Sequence, residues 1–180
     1  AVDVRDLGDD GSTCTIVAGT RRIPVRIRAY GQHMVYAALE GAAVGIEYGL
    51  TDDEIIRGIA AYQPVGSRAN VVRTARYTVI DDCYNANPQS VTAALEVLGR
   101  TDCERRVAVL GDMGELGQLT AQAHRDMGAL TRRLGLTAVA VGEKMHALTE
   151  TDPQAQWFAT VEEAMPAIRQ LFTPGTAVLV

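Results

Sequence analysis

The chain has 180 residues, is 47% hydrophobic and 22% charged, and carries a formal net charge of −5. That is the balance of a folded globular protein, and without a block of like charges it argues against a general nucleic-acid or membrane-surface binder. No apolar run approaches the length needed to span a bilayer, so no membrane insertion is expected. The opening AVDVRDLGDDG has neither the basic start nor the apolar core of a signal peptide. Cys14, Cys83 and Cys103 are an odd, scattered set without metal-ligand spacing, and a reduced cytoplasm is their simplest setting. The length allows one large domain, or one domain and part of another.

Residues 1–30 read as β structure. Val4–Leu7 is a short run, Asp9-Asp10-Gly11 a turn, and Thr13–Val17 with Ile23–Ile27 a hairpin across Ala18-Gly19-Thr20. Val25 and Ile27 alternate with Arg26 and Arg28, which implies one buried face and one solvated face. A helix follows from Gly31 to Gly49, with Val35, Leu39, Ala42, Ala43 and Ile46 at helical spacing. Gly49 suits the position just past a helix end, with Leu50 as its apolar partner. Thr51 and Glu54 spell a capping box for a second helix, which places Ile55, Ile56 and Ile59 on its apolar side. Exposed apolar surface is a hazard for this part of the chain. Pro64, Gly66 and Ser67 mark a boundary, with 1–64 as one domain segment, 65–72 as a linker and 73–180 as a second domain.

Beyond the linker, strand and helix alternate. The expected strands are Tyr77–Ile80, Arg106–Leu110, Ala138–Val141, Gln156–Phe158 and Ala177–Val180. Between them fall helices at Pro88–Leu98, closed by Gly99, and at Ala121–Leu134, stopped by Gly135. A short helix near Glu143–Leu148 and a last one at Val161–Phe172, opened by Thr160 with Glu163, complete the series. Pro166 counts against a straight final helix. The order predicts an α/β fold with a mostly parallel sheet and helices on both faces.

Val79-Ile80-Asp81-Asp82-Cys83-Tyr84-Asn85-Ala86-Asn87-Pro88 is the stretch that bears chemistry. A buried strand runs into two carboxylates and a polar loop, and Asn87-Pro88 starts a helix. In open α/β sheets ligands bind beyond the carboxyl ends of the strands, where these groups would sit. Asp and Asn are also ordinary turn residues, and composition alone leaves both readings open. Cys83, with no His near it in sequence, reads as a small filler rather than a nucleophile.

The wording of two loops is more specific. DDCYNANPQS with VTAALEVL behind it, and VAVLGDMGELG with His124 following, resemble the Mur ligase family, most closely its MurF type. Gly31-Gln32-His33 and Pro64-Val65-Gly66-Ser67-Arg68 fall in the family's order as well. The resemblance implies a Rossmann-like C-terminal domain, truncated at its end and preceded by the tail of the family's central ATPase domain. It implies a ligase that uses ATP and Mg²⁺ to activate a carboxylate as an acyl phosphate. The substrates it implies are UDP-N-acetylmuramoyl-tripeptide and D-alanyl-D-alanine, joined in peptidoglycan precursor synthesis.

By the same resemblance Asp82, or its neighbour Asp81, contacts the ribose or adenine side of ATP, and Asn85 and Asn87 orient nucleotide and loop. Arg68 stands where the family has a hinge arginine that reaches the phosphates, a task suited to a planar, permanently charged fork. His33 opens a family pattern near the nucleotide, although Met34 and Ala37 replace the polar residues usual there. From charge and position, Asp112 and Glu115 either meet the ammonium of the incoming dipeptide or merely cap a turn. His124 reads as a packing or capping residue. No G-x-x-x-x-G-K-[ST] phosphate loop occurs, so this segment alone is expected to be inactive. A folylpolyglutamate-type ligase and a non-catalytic scaffold remain as alternatives.

Overall fold

The computed structural model describes residues 1–29 and 31–180, with Asp9 described by its backbone alone. Tyr30, the end of the β-rich stretch in the sequence reading, lies outside the described residues. The chain forms two compact units, Ala1–Val65 and Gly66–Val180.

The first unit carries an antiparallel sheet in the order β1 (Val2–Asp6), β2 (Ser12–Ala18), β3 (Arg21–Ile27). β2 and β3 pair from Ser12↔Ile27 to Ala18↔Arg21, so Gly19-Thr20 makes a two-residue turn, with Gly19 at φ +62°. A positive φ there is what such a turn demands. Cys14 and Ile16 of β2 and Ile23, Val25 and Ile27 of β3 are buried, whereas Arg22 and Arg26 stand on the wet face. Helix α1 (Met34–Glu47) covers that core with Val35, Ala38 and Ala42, and α2 (Asp52–Ala61) with Ile55. Each such aliphatic side chain contributes about 1.5–3 kcal/mol on burial.

Both helix boundaries here were readable from local residues. Gly49 takes φ +77°, the Leu50 N–H donates to the Gly45 carbonyl, and the Gly49 N–H to Ile46. That is a Schellman stop. Thr51 and Glu54 close both halves of the capping box. Tyr36 and Val44 of α1 and Tyr48 just past its end are exposed.

The second unit is a six-stranded sheet in the order β4-β5-β9-β6-β7-β8. Its strands are β4 (Asn70–Arg73), β5 (Tyr77–Asp81), β6 (Arg105–Gly111), β7 (Thr137–Val141), β8 (Gln156–Phe158) and β9 (Thr176–Leu179). All neighbours are parallel except β4 and β5. The connections β5-α3-β6 (α3, Pro88–Arg100), β6-α4-β7 (α4, Thr120–Leu134) and β7-β8 all step one way across the sheet. The last, β8-α5-β9 (α5, Val161–Leu171), steps back and inserts β9 between β5 and β6. Crossovers are right-handed, so the returning helix must lie on the opposite face from α3 and α4. Accordingly α5 packs through Ala164 and Ile168 on Val109, Val139 and Val141, one face of the pleat. The alternate residues Ala108, Leu110, Ala138 and Ala140 are equally buried on the other.

Three local expectations are corrected, those on residues 70–72, Gly99 and the Thr160 capping box. Residues 70–72, the end of the stretch read as linker, belong to β4, because Asn70 to Arg73 pair with Asp81 to Thr78 across the sheet. Gly99 does not end α3, which runs on to Arg100; it lies where an added Cβ would come within 3.3 Å of Leu134 of α4, so its smallness serves helix packing. Pro166 lies inside α5, as the sequence reading had it. Its ring and the Glu162 residue one turn back are exposed, so water can serve the carbonyl that loses its partner. Thr160 caps Glu163, but the Glu163 carboxylate returns to the Ala159 N–H at 3.1 Å, one residue before the box position.

Candidate functional site

A cleft of about 660 Å³ opens at the carboxyl ends of the parallel strands of the second unit, a size usual for a small-molecule site. β5 delivers Asp82 to Ala86, β6 Gly111 and Asp112, β7 Gly142, β8 Ala159 and Thr160, and β9 Leu179 and Val180. Val91 and Ala94 of α3 and Ile168 of α5 complete an apolar floor between the two helix layers. Two loops that are 25–30 residues apart in sequence thus share one cavity because β6 lies next but one to β5.

The loop after β5 is held by its backbone. The Asp82 N–H donates to the Val180 carbonyl at 2.8 Å, and the Asp82 carboxylate accepts the Ala69 N–H at 2.8 Å. The Tyr84 N–H donates to the Ser67 carbonyl at 3.0 Å. Arg68 lies outside the lining of the cleft but lays its guanidinium over the ring of the lining residue Tyr84, 4.0 Å from the centroid. The Asn87 side-chain carbonyl accepts both the Gln89 and Ser90 N–H groups at 3.0 Å, capping α3. Asp81 accepts a hydrogen bond from the Cys83 thiol at 3.2 Å. This bond, with some burial, pushes the thiol pKa up. Cys83 is therefore an exposed, hydrogen-bonded thiol and not the packed filler read from sequence.

The loop after β6 is anchored differently. The Asp112 carboxylate accepts the Met145 N–H at 2.8 Å, at the start of a 3₁₀ segment, Lys144–Glu150. Gly142 stands at φ +114°, and a Cβ there would come within 2.4 Å of Asp112 Oδ1. Its carbonyl accepts the Trp157 indole N–H at 2.8 Å. Only glycine therefore allows the carboxylate to lie against this turn. Met113 is fully buried, and its N–H donates to His124 Nε2 at 3.1 Å.

Of the residues singled out by sequence, Asp82, Asn85 and Asp112 line the cleft. Asp81, Asn87 and Glu115 flank it in sequence but lie outside its lining among the described residues. Glu115 is exposed at φ +59°. His33 belongs to the first unit, where its ring packs over Gly31. Sequence reasoning missed Thr160 and Ile168 as lining residues; their only signal was position after a strand's carboxyl end and on the returning helix.

Residues 67–180 match the family described as Mur ligase, glutamate ligase domain. The UDP-N-acetylmuramoyl-tripeptide–D-alanyl-D-alanine ligase of Mycobacterium leprae is 36% identical, over 87% of this chain and 35% of its own length. That of Escherichia coli K12 is 33% identical, over 83% of this chain and 33% of its own. A crystal structure of MurF from Acinetobacter baumannii superposes with a TM-score of 0.89 at 30% identity, covering 99% of this chain and 40% of that one. MurF from Thermotoga maritima, solved in complex with ADP, gives 0.81 over 98% of this chain and 41% of its own; at 20% identity it speaks for the fold alone. The chain spans about a third of the length of the curated relatives it matches.

Proposed function

This chain belongs to the Mur ligase family, and we propose that it works as part of an ATP-dependent peptide ligase that adds D-alanyl-D-alanine to UDP-N-acetylmuramoyl-tripeptide. The observation that carries the reading is the convergence of Asp82, Asn85 and Asp112 on one cleft at the carboxyl edge of a parallel sheet. ATP converts the tripeptide carboxylate to an acyl phosphate; the dipeptide amine attacks the acyl carbon, and phosphate leaves. Such chemistry asks chiefly for positioning and charge neutralisation.

In this proposal Asp82 and Asn85 take the ribose and base side of ATP, and Arg68 its phosphates. Asp81 and Asn87, through their bonds to Cys83 and to the start of α3, hold the shape of that loop. His33 is assigned to the nucleotide on the family resemblance alone. Asp112 and Glu115 are assigned to the dipeptide ammonium by charge and by their place beyond β6. Among the described residues no group of three or more His, Cys, Asp or Glu is arranged to hold a metal. By the family resemblance, the P-loop and the Mg²⁺ ligands are assigned to the part of the relatives' length that this chain does not match. The three free cysteines suit a reduced cytoplasm.

The test is phosphate release by the enzyme that contains this chain, given ATP, UDP-N-acetylmuramoyl-tripeptide and D-alanyl-D-alanine. The expected result is release that requires both acceptor and dipeptide and falls at least tenfold in Arg68→Ala. A folded enzyme that releases no phosphate with this pair, or does so with a folate and glutamate instead, overturns the proposal.

A further inference from the structure

Arg68 is held by the loop that follows β5 in an arrangement that does more than leave it near the cleft. Three consecutive residues, Ser67, Arg68 and Ala69, each contact that loop. The Ser67 carbonyl accepts the Tyr84 N–H, the Arg68 guanidinium lies 4.0 Å over the Tyr84 ring centroid, and the Ala69 N–H donates to Asp82. Ala69 takes φ +51°, a left-handed conformation that a residue with a Cβ adopts only at a cost. The contacts on either side hold it there.

Tyr84 is 67% exposed, so its ring is not placed by core packing. An exposed tyrosine that offers its face to a guanidinium fixes two long side chains that would otherwise sample many rotamers. A cation–π contact takes up no acceptor oxygen, so it leaves N–H donors of the guanidinium for an anion. A carboxylate partner would instead have occupied those donors and cancelled the charge.

We infer that Tyr84 is a positioning residue for Arg68: its ring presents the guanidinium to the phosphates of the nucleotide. The inference rests on the ligase reading, since it takes the phosphate role of Arg68 from there. Tyr84 acts through Arg68 and not on the reacting atoms.

Two measurements test it. In the 180-residue chain, the Arg68 Cδ protons should show an upfield ring-current shift in the NMR spectrum of wild type and Tyr84→Phe, lost in Tyr84→Leu. A wild-type chain without that shift overturns the inference whatever the enzyme does. In the enzyme that contains this chain, Tyr84→Leu should raise KM for ATP by about threefold to fivefold, the size of an exposed cation–π contact. KM for D-alanyl-D-alanine should be unchanged, and Tyr84→Phe should restore wild-type behaviour. In an Arg68→Ala background the Tyr84→Leu effect should vanish. An undiminished effect in that background, or a Tyr84→Phe enzyme as impaired as Tyr84→Leu, overturns the positioning role while leaving the ligase reading intact. A folded wild-type enzyme without ligation defeats the ligase reading, and with it the phosphate part of the inference.

Discussion

The imidazole of His124 accepts the Met113 N–H at Nε2, 3.1 Å away, while Nδ1 lies 2.6 Å from the Thr120 carbonyl. Both ring nitrogens are thus engaged, one as acceptor and one as donor, which is the neutral Nδ1–H tautomer. The residue is fully buried and joins the loop after β6 to the first turn of α4. It is a structural pin for one wall of the cleft, the packing role that its sequence position suggested.

Replacing His124 by Phe keeps an aromatic ring and removes both bonds, which strands a buried Met113 N–H. The second unit should lose about 1–3 kcal/mol of stability. Trp157, the chain's one tryptophan, lies in that unit and reports its urea denaturation. An unchanged midpoint would show that the pin is dispensable.

Gly128 and Gly41 both lie inside helices, yet alanine should act oppositely at the two. At Gly128 a Cβ would come within 2.2 Å of the Leu148 carbonyl oxygen and 2.4 Å of Thr151 Oγ1. Overpacking against backbone, about 1–3 kcal/mol, outweighs the gain in helix propensity of about 1 kcal/mol. At Gly41 no atom of the described residues beyond its own helix backbone lies within 4 Å, so Gly41→Ala should stabilise by about 0.5–1 kcal/mol. Denaturation of each variant, followed by Trp157 fluorescence for Gly128→Ala and by circular dichroism for Gly41→Ala, decides both signs.

The N-terminus of α2 should be sensitive to acid. Hydrogen bonds from the Thr51 backbone N–H and then its hydroxyl hold the Glu54 carboxyl below the ordinary glutamate value. A lowered pKa means that the ionised form is favoured in the fold. The stabilisation is complete above the unfolded value and disappears as pH falls through the depressed one. The Thr51 amide proton, followed by NMR, should titrate with a midpoint below that of a free glutamate, and Glu54→Gln should abolish the transition. A midpoint at or above the free value would contradict the capping box.

Cys83 should alkylate slowly for an exposed thiol. Its bond to the Asp81 carboxylate, with partial burial, raises the pKa and keeps the reactive thiolate scarce. Peptide-resolved iodoacetamide labelling at mildly alkaline pH should therefore show faster modification in Asp81→Asn than in wild type. Equal rates would mean that the carboxylate does not govern the thiol.

Signals that act over three or four residues were legible without coordinates. Thr51 with Glu54, Asn87 with Pro88, Gly49 with Leu50 and Gly135 after Leu134 each stand where their chemistry placed a helix end. The strand–helix alternation foretold a mostly parallel sheet, and the loop DDCYNANP pointed to the cleft through Asp82 and Asn85. Where two uses of one residue compete, sequence chose by the local one. Gly99 read as a helix stop but serves the approach of Leu134, and Asn70–Val72 read as linker but pairs with β5.

What sequence alone determined, then, was most of the elements, their order and the chemistry of two loops, because backbone caps, periodicity and charge are properties of neighbours along the chain. What only the tertiary structure decided was who meets whom. β9 enters between β5 and β6, so that Val180 takes the Asp82 N–H; Asp112 finds Met145 33 residues on; and Arg68 settles on Tyr84. Those partners are selected by right-handed crossovers and by packing between distant segments, and neither leaves a mark at the spacing of a few residues.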